Sequence, residues 1–325
     1  MTNPLNVLHY KREDNMNNKR QIITDILGSY RRAGDEHLYH CPFCKHHKKK
    51  MSVNFSINSY KCWICDARGK NIYRLVRKFG NYQQRQKYLE LQGRLDLTEF
   101  EDIFKEINDV ETIQTIKLPA EFISLCNKHL PLHSKTPLEY LRKRGISKWD
   151  ILKWKIGYCF SGEYRNRIVV PSFNDDGNVS YFVARSYNGD TYKYKNPRAS
   201  KNIVFNELYV NWNEDLILVE GVFDAINAGN SVPILGSTLR TDSSLIKKIV
   251  YNDTPVYVAL DPDAAEKERK VIKTLLKYDV ELYKIDVSGY EDVGSMSKDV
   301  FEERKQNAAF IDRDNYLLLD LLSAV

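Results

Sequence analysis

The pattern of apolar and polar positions changes period several times along the chain. Between Ser52 and Lys61, Val53, Phe55 and Ile57 alternate with polar residues, Asn58-Ser59 turns and Tyr60 restarts. That period of two predicts a β-hairpin. From Asn71 the period becomes helical. Ile72, Leu75, Val76 and Phe79 share one face, Arg74, Arg77 and Lys78 the other, and Gly80 ends the segment. Residues 81–135 are polar and helix-like, with apolar positions such as Phe100, Ile103, Phe104 and Ile107. Thr136-Pro137-Leu138-Glu139 reads as a capping box with proline at the first helical position. That helix stops at Gly145, and Ser147 with Asp150 caps another through Trp154. From Arg167 strands return: Arg167 to Phe173, a turn at Asp175-Asp176-Gly177-Asn178, Val179 to Tyr187, a turn at Asn188-Gly189, then TYKYKNP.

Asp215 to Glu220 reads DLILVE, a nearly unbroken apolar run that ends in an acid. Pro255 to Asp261 (PVYVALD) repeats the pattern, with Pro262-Asp263 after it. Such runs suit buried parallel strands. Gly221 allows a sharp turn into a helix that carries Asp224. A helix over about 264–278 and a strand, VELYKIDV, follow. Strands alternating with helices predict an α/β layer, with its ligand site beyond the carboxyl ends of the strands. Glu220, Asp261 and Asp263 stand at such ends. Carboxylates converging there repel one another unless a cation neutralises them, and hard oxygen ligands suit magnesium.

The length, 325 residues, predicts two to three small domains rather than one. No run approaches eighteen apolar residues, and the first twenty residues hold no apolar signal core. The chain is therefore expected to work in the cytoplasm, with no membrane partner. The net charge of +6 is unevenly spread. Residues 41–80 hold ten Lys/Arg against Asp66 alone, while residues 96–111 hold seven acids against Lys105 alone. A basic module beside an acidic tether points to a polyanion partner for the module.

Of six cysteines, four form Cys41-x-x-Cys44 and Cys62-x-x-Cys65, with seventeen residues between the pairs. In a chain without secretion this spacing reads as a structural four-thiolate zinc site, each pair a knuckle and the hairpin between them. His40, His46 and His47 read as surface residues, and Cys126 and Cys159 as packing residues. Phe55, Tyr60 and Trp63 interleave with the charges, which suits stacking on single-stranded bases.

LILVEGVFDAI followed by VYVALDPD resembles the TOPRIM signature shared by topoisomerases and primases. The order of segments resembles a bacteriophage-encoded, bacterial-type DNA primase. CPFC through YKCWICDARG is similar to that family's zinc ribbon, PLEYLRKRGISKWDILKWKIGY to its helical segment, RIVVPSFNDDGNVSYFVARSY to its strand pair, and TYKYKNP to its lysine-tyrosine-x-asparagine element. The resemblance implies a multidomain α+β protein: a zinc ribbon (1–95), a helical linker (96–135), the N-terminal part of a mixed primase core (136–212), an α/β TOPRIM domain (213–300) and a helical tail (301–325).

It also implies template-directed synthesis of RNA primers on single-stranded DNA from ribonucleoside triphosphates. Glu220, Asp261 and Asp263 then bind catalytic magnesium or manganese, with Glu220 also a base for the attacking hydroxyl, Asp224 a support and Asp292 a further ligand. Arg167, Arg185, Lys193 and Lys201 match positions that face nucleotide or template. Two departures stand out. Cys44 replaces the histidine of the common bacterial zinc site, and Gly294 and Ser295 stand where polar and acidic residues are expected after Asp292. No P-loop motif occurs, so a replicative helicase is expected as a separate partner. A TOPRIM nuclease and a zinc-dependent single-strand-binding factor are the rival readings. They differ in product: new RNA, shortened DNA, or a bound but unchanged strand.

Overall fold

The computed structural model describes residues 4–92, 116–236, 239, 243–278, 280–312 and 316, in two compact units, 1–103 and 104–325. Phe100, Ile103, Phe104, Ile107 and the acidic stretch 96–111 lie outside the described residues.

The first unit opens with α1 (Pro4–Leu27), then five short strands: β1 (Arg31–Ala33), β2 (Glu36–Tyr39), β3 (Met51–Asn54), β4 (Ser59–Cys62) and β5 (Arg68–Gly69). They form one antiparallel sheet in sequence order. α2 (Tyr73–Phe79) and α3 (Tyr82–Gln92) complete the unit. Tyr39, Met51, Val53, Ile72, Leu75 and Val76 are buried with Ile22 and Ile23 of α1. The predicted hairpin is present, with Val53 opposite Tyr60. Its first strand, however, stops at Asn54. The Asn54 Oδ1 accepts from the Ser56 and Ile57 amides at 3.0 and 3.3 Å, which folds residues 55–58 into a turn and leaves Ile57 69% exposed.

The second unit contains two sheets. The antiparallel one runs β6 (Phe122–Ser124), β7 (Gly157–Cys159), β8 (Arg167–Phe173), β9 (Val179–Ser186), in that order. Cys159, Val169, Phe182 and Ala184 form a core covered by Ile116, Leu118, Phe122 and Tyr164. This corrects the helical linker: residues 122–124 are the edge strand of this sheet, and Ile116 and Leu118 before them cover its core. TYKYKNP reduces to a single bridge, Arg185 to Tyr194, rather than a strand.

α4 (Lys135–Lys143) and α5 (Lys148–Lys153) lie between β6 and β7 in the chain. The capping box at Thr136 does not form. The helix starts two residues earlier, at Lys135, Ser134 precedes it without a side-chain cap, and Pro137 sits in the first turn, where no amide partner is needed. The box at Ser147 does form. Ser147 Oγ accepts from the Asp150 amide at 3.2 Å, and Asp150 Oδ2 accepts from the Ser147 amide at 2.9 Å.

The parallel sheet has the order β11 (Ser231–Pro233), β10 (Leu216–Val219), β12 (Val256–Ala259), β13 (Leu282–Lys284), β14 (Ala309–Ile311). α6 (Val222–Ala228), α7 (Ser244–Asn252), α8 (Ala265–Lys277) and α9 (Lys298–Gln306) connect the strands. β10 to β13 are mutually parallel, as the apolar runs predict, and all four residues of β10 are buried. The last strand runs antiparallel to β13, so the reading of 301–325 as a helical tail is corrected: residues 309–311 belong to the sheet. Its remainder beyond Asp312, apart from Tyr316, lies outside the described residues.

Ser147→Ala is expected to lower stability by about 1 kcal/mol. Thr136→Ala should change it by less than about 0.5 kcal/mol, because Thr136 is exposed and caps nothing. Urea unfolding of the two variants checks both; an equal loss in each would remove the distinction.

Candidate functional site

The register Val219 to Ala259 places the ends of β10 and β12 side by side. Glu220 follows the first strand directly, and Asp261 and Asp263 follow the second. Carboxylate oxygens of all three lie within 4.8 Å of one another. Glu220 Oε2 and Asp261 Oδ1 are buried without a hydrogen-bond partner. Burial, followed by the charges of Asp224, Glu220, Asp292 and Asp263, pushes the Asp261 carboxyl up to about 7. Unpartnered oxygens crowded at this distance fit a divalent cation of the hard, oxygen-seeking kind.

Asp224 has a different task. Its Oδ2 accepts from the Gly221 amide at 2.8 Å and its Oδ1 from the Gly294 amide at 2.9 Å. It therefore ties the turn after β10 to the turn before α9. A Cβ on either glycine would come within 2.9–3.0 Å of this carboxylate. This revises the reason for Gly221. Its φ is −121°, open to any residue; what the position requires is room for Asp224. It also accounts for Gly294 at a position where a polar side chain was expected: here the backbone amide does the work. Burial and then the Asp292 charge push Asp224 up to about 6. Asp292 lines the same cavity but is not one of the three converging carboxylates. The short turn Val293–Ser295 is closed by its backbone, the Asp292 carbonyl accepting from the Ser295 amide at 3.2 Å and from Ser295 Oγ at 2.6 Å.

The acids face a cavity of about 430 Å³ whose other wall carries Arg185, Lys193 and Lys201. Arg185 is held firmly. Its Nε donates to Tyr140 Oη at 2.7 Å and its Nη1 to Tyr194 Oη at 2.5 Å, and it lies 5.1 Å from the Tyr194 and Phe223 ring centres. Lys201 Nζ donates to the Leu235 carbonyl at 3.2 Å. Arg167 does not reach the cavity. It is 6% exposed, donates to the Tyr192 and Lys193 carbonyls at 2.9 and 3.4 Å, and lies 3.7 Å from Asp190. Its side chain helps secure the backbone that carries Lys193, beside the Ser186 amide, which donates to the Lys193 carbonyl at 2.9 Å.

In the first unit, the four cysteine sulfurs come together as the spacing predicts. Cys41 Sγ lies 3.7 Å from Cys65 Sγ, and Cys44 Sγ 3.9 Å from Cys62 Sγ. A tetrahedral zinc with bonds of about 2.3 Å requires sulfurs about 3.8 Å apart, so the donor set fits. Each knuckle is followed by a residue with positive φ, Lys45 at 52° and Asp66 at 56°, which turns the chain back. Burial pushes the Cys41 thiol up to about 12; Cys62, although burial raises it, is held at about 7 by the Cys65 and Ile64 amides. His40 and His47 are exposed, His46 half-buried. Of the three interleaved rings, Tyr60 is core and Phe55 packs edge-on to His37 at 5.2 Å. Trp63 is 65% exposed, with Lys61 Nζ 4.8 Å from its ring centre.

Residues 10–102 match the family described as CHC2 zinc finger. Over longer stretches the chain is similar to bacterial DNA primases. It is 23% identical over 323 residues to the DNA primase of Thermotoga maritima, covering 83% of this chain and 56% of that protein. It is 24% identical over 297 residues to that of Clostridium acetobutylicum, covering 75% and 49%. Among solved structures, a DnaG primase catalytic domain bound to single-stranded DNA matches with a TM-score of 0.53 and 19% identity, over 71% of this chain and 85% of that one. A DNA primase domain from Pseudomonas aeruginosa matches with a TM-score of 0.51 and 18% identity, over 61% and 78%. The architecture is thus a zinc-binding domain followed by a mixed α/β primase-type core. The chain spans about half the length of the curated relatives it matches.

Three residues at the site were not anticipated from the sequence. Arg144 lies 5.0 Å from the Phe223 ring centre, Tyr140 orients Arg185, and Lys267 Nζ donates to Glu220 Oε1 at 2.5 Å. Only Lys267 left a signal, as a cation in the first turn of a helix, where the dipole disfavours it.

Two predictions follow from these environments. Asp261 holds a proton in the folded chain up to about 7 but releases it near 3.8 when unfolded. The folded state therefore binds more protons between these values, and stability falls as pH rises through that window. Metal-free Asp261→Asn should melt above the unsubstituted chain at pH 8 and lose that advantage near pH 4. Magnesium should stabilise the unsubstituted chain more than the variant; thermal melts with and without the metal check both. Separately, chelating zinc should open the loops around residues 41–65 to protease while the 116–311 core stays resistant. Unchanged digestion would show that the knuckles hold without metal.

Proposed function

We propose that this chain is a DNA primase, a nucleotidyltransferase that assembles short RNA primers on single-stranded DNA from ribonucleoside triphosphates. One observation carries the reading: three converging carboxylates face Arg185, Lys193 and Lys201 across a single cavity. Phosphoryl transfer is mostly positioning and charge neutralisation, and a cavity with an acidic pole and a cationic wall suits it.

Magnesium or manganese held by Glu220, Asp261 and Asp263 would polarise the reacting phosphate and assist attack by a hydroxyl. Glu220, whose Oε2 is unpartnered, would take the proton from that hydroxyl. Arg185, Lys193 and Lys201 would receive triphosphate or template phosphates. Asp224 keeps the turns in register, and Asp292, which lines the same cavity, would be a further ligand. In the first unit Trp63 offers an exposed face on which a template base can stack. Four cysteines in place of a set with one histidine favour a bacteriophage-encoded protein working in the host cytoplasm, with a separate replicative helicase as partner. Among the described residues no helix is long and apolar enough to cross a membrane.

The test is a gel assay with single-stranded DNA of mixed sequence, magnesium or manganese, labelled ribonucleoside triphosphates and no primer. The zinc-loaded chain should yield short alkali-labile RNA. Glu220→Gln should reduce it at least about a hundredfold, the scale set by losing one essential charged group. Shortened DNA without RNA would instead assign a nuclease, and an unchanged but bound strand a binding factor.

A further inference from the structure

Lys267 breaks a local rule. It stands in the first turn of α8, a helix of 13 residues, where the exposed amides favour acids and disfavour cations. Its neighbours Glu266 and Glu268 obey the rule and pair elsewhere, with Lys270 at 2.7 Å and Lys284 at 2.5 Å. Lys267 turns instead to the acidic cluster and donates to Glu220 Oε1 at 2.5 Å. Both side chains of this pair keep partial access to solvent, 21% for the lysine and 28% for the glutamate. A lysine is a point charge on a flexible stem and can withdraw along such a path without disturbing the fold.

The ammonium offsets the charge of Glu220. Glu220 Oε2 and Asp261 Oδ1 still lack partners, so a place for a cation remains beside it. A divalent ion that shares Glu220 with Asp261 and Asp263 meets the lysine at the same carboxylate. Both cations compete for one pole.

We propose that Lys267 is the resident counter-ion of the acidic cluster. It holds Glu220 in place while the site is free of metal, and a divalent cation must displace it from Glu220 in order to bind. The proposal rests on reading Glu220, Asp261 and Asp263 as metal ligands. It makes Lys267 a positioning residue that keeps metal affinity below what the carboxylates alone would give.

The test measures manganese binding to the zinc-loaded full chain by the electron paramagnetic resonance signal of free manganese, without nucleotide. Manganese prefers oxygen ligands and leaves the thiolate site to zinc. Lys267→Met should bind manganese about twofold to tenfold more tightly, the range expected for removing a partly exposed ion pair. Lys267→Arg, which keeps the charge, should stay close to the unsubstituted chain. Metal-free Lys267→Met should also melt lower, with a larger manganese-induced rise in Tm. Equal or weaker binding by Lys267→Met would overturn the counter-ion role and leave the metal site standing. No manganese bound by any of the three would remove the metal site, and with it this proposal and the catalytic reading beneath it.

Discussion

Mutual repulsion among the carboxylates beyond β10 and β12 is the constraint around which the second unit is arranged. Left in water, these groups would separate. The parallel register that sets Val219 beside Ala259 forces their approach. The burial of every residue in β10 keeps that register from slipping. Asp224 then fixes the turns by accepting from two backbone amides, and two glycines give it room. Unpartnered oxygens on Glu220 and Asp261 are what such enforced crowding leaves behind. Such departures from local satisfaction, gathered at the ends of two strands, are where function is expected to reside.

The cationic wall follows a different logic. Arg185 is held by two tyrosine hydroxyls and two aromatic rings, so its guanidinium is oriented before any ligand arrives. Lys193 sits on a segment with one bridge, whose carbonyls accept from the Ser186 amide of β9 at 2.9 Å and from Arg167. The antiparallel sheet therefore carries Arg185 on a strand and holds the backbone of Lys193 beside it. Lys298 Nζ lies 3.2 Å from Asp150, so α9 and α5 are also joined by an ion pair on an acid already serving as a helix cap.

The first unit meets a shortage of core. Its strands are two to four residues long, and much of its surface is basic. Four sulfurs at zinc-binding separation replace part of the apolar contact that so small a sheet lacks. α1 adds Ile22 and Ile23, and the Tyr73 and Tyr88 rings stack at 5.8 Å. With Tyr60 drawn into this core, Trp63 is left as the exposed ring.

The sequence by itself determined the elements whose signal is local. Apolar runs ending in acids gave β10 and β12, because a buried parallel strand has no polar face to interrupt it. Two Cys-x-x-Cys pairs gave the zinc knuckles, because the metal dictates the spacing. Ser147 and Asp150 gave a cap, because both partners lie within one turn. The tertiary structure alone decided what depends on contacts far apart in the chain. Residues 122–124 joined a sheet, and Ile116 and Leu118 before them found its core to cover. Arg167 turned inward to hold a loop, although its residue type suited a phosphate equally well. Gly294 proved to matter for its amide, which meets Asp224 across seventy residues of sequence. Lys267 stood out only as a cation in the first turn of a helix; that its partner is Glu220 was decided by the fold. A side chain's type limits what it can bind, but its partner is chosen by packing, and packing is not written in any short stretch of sequence.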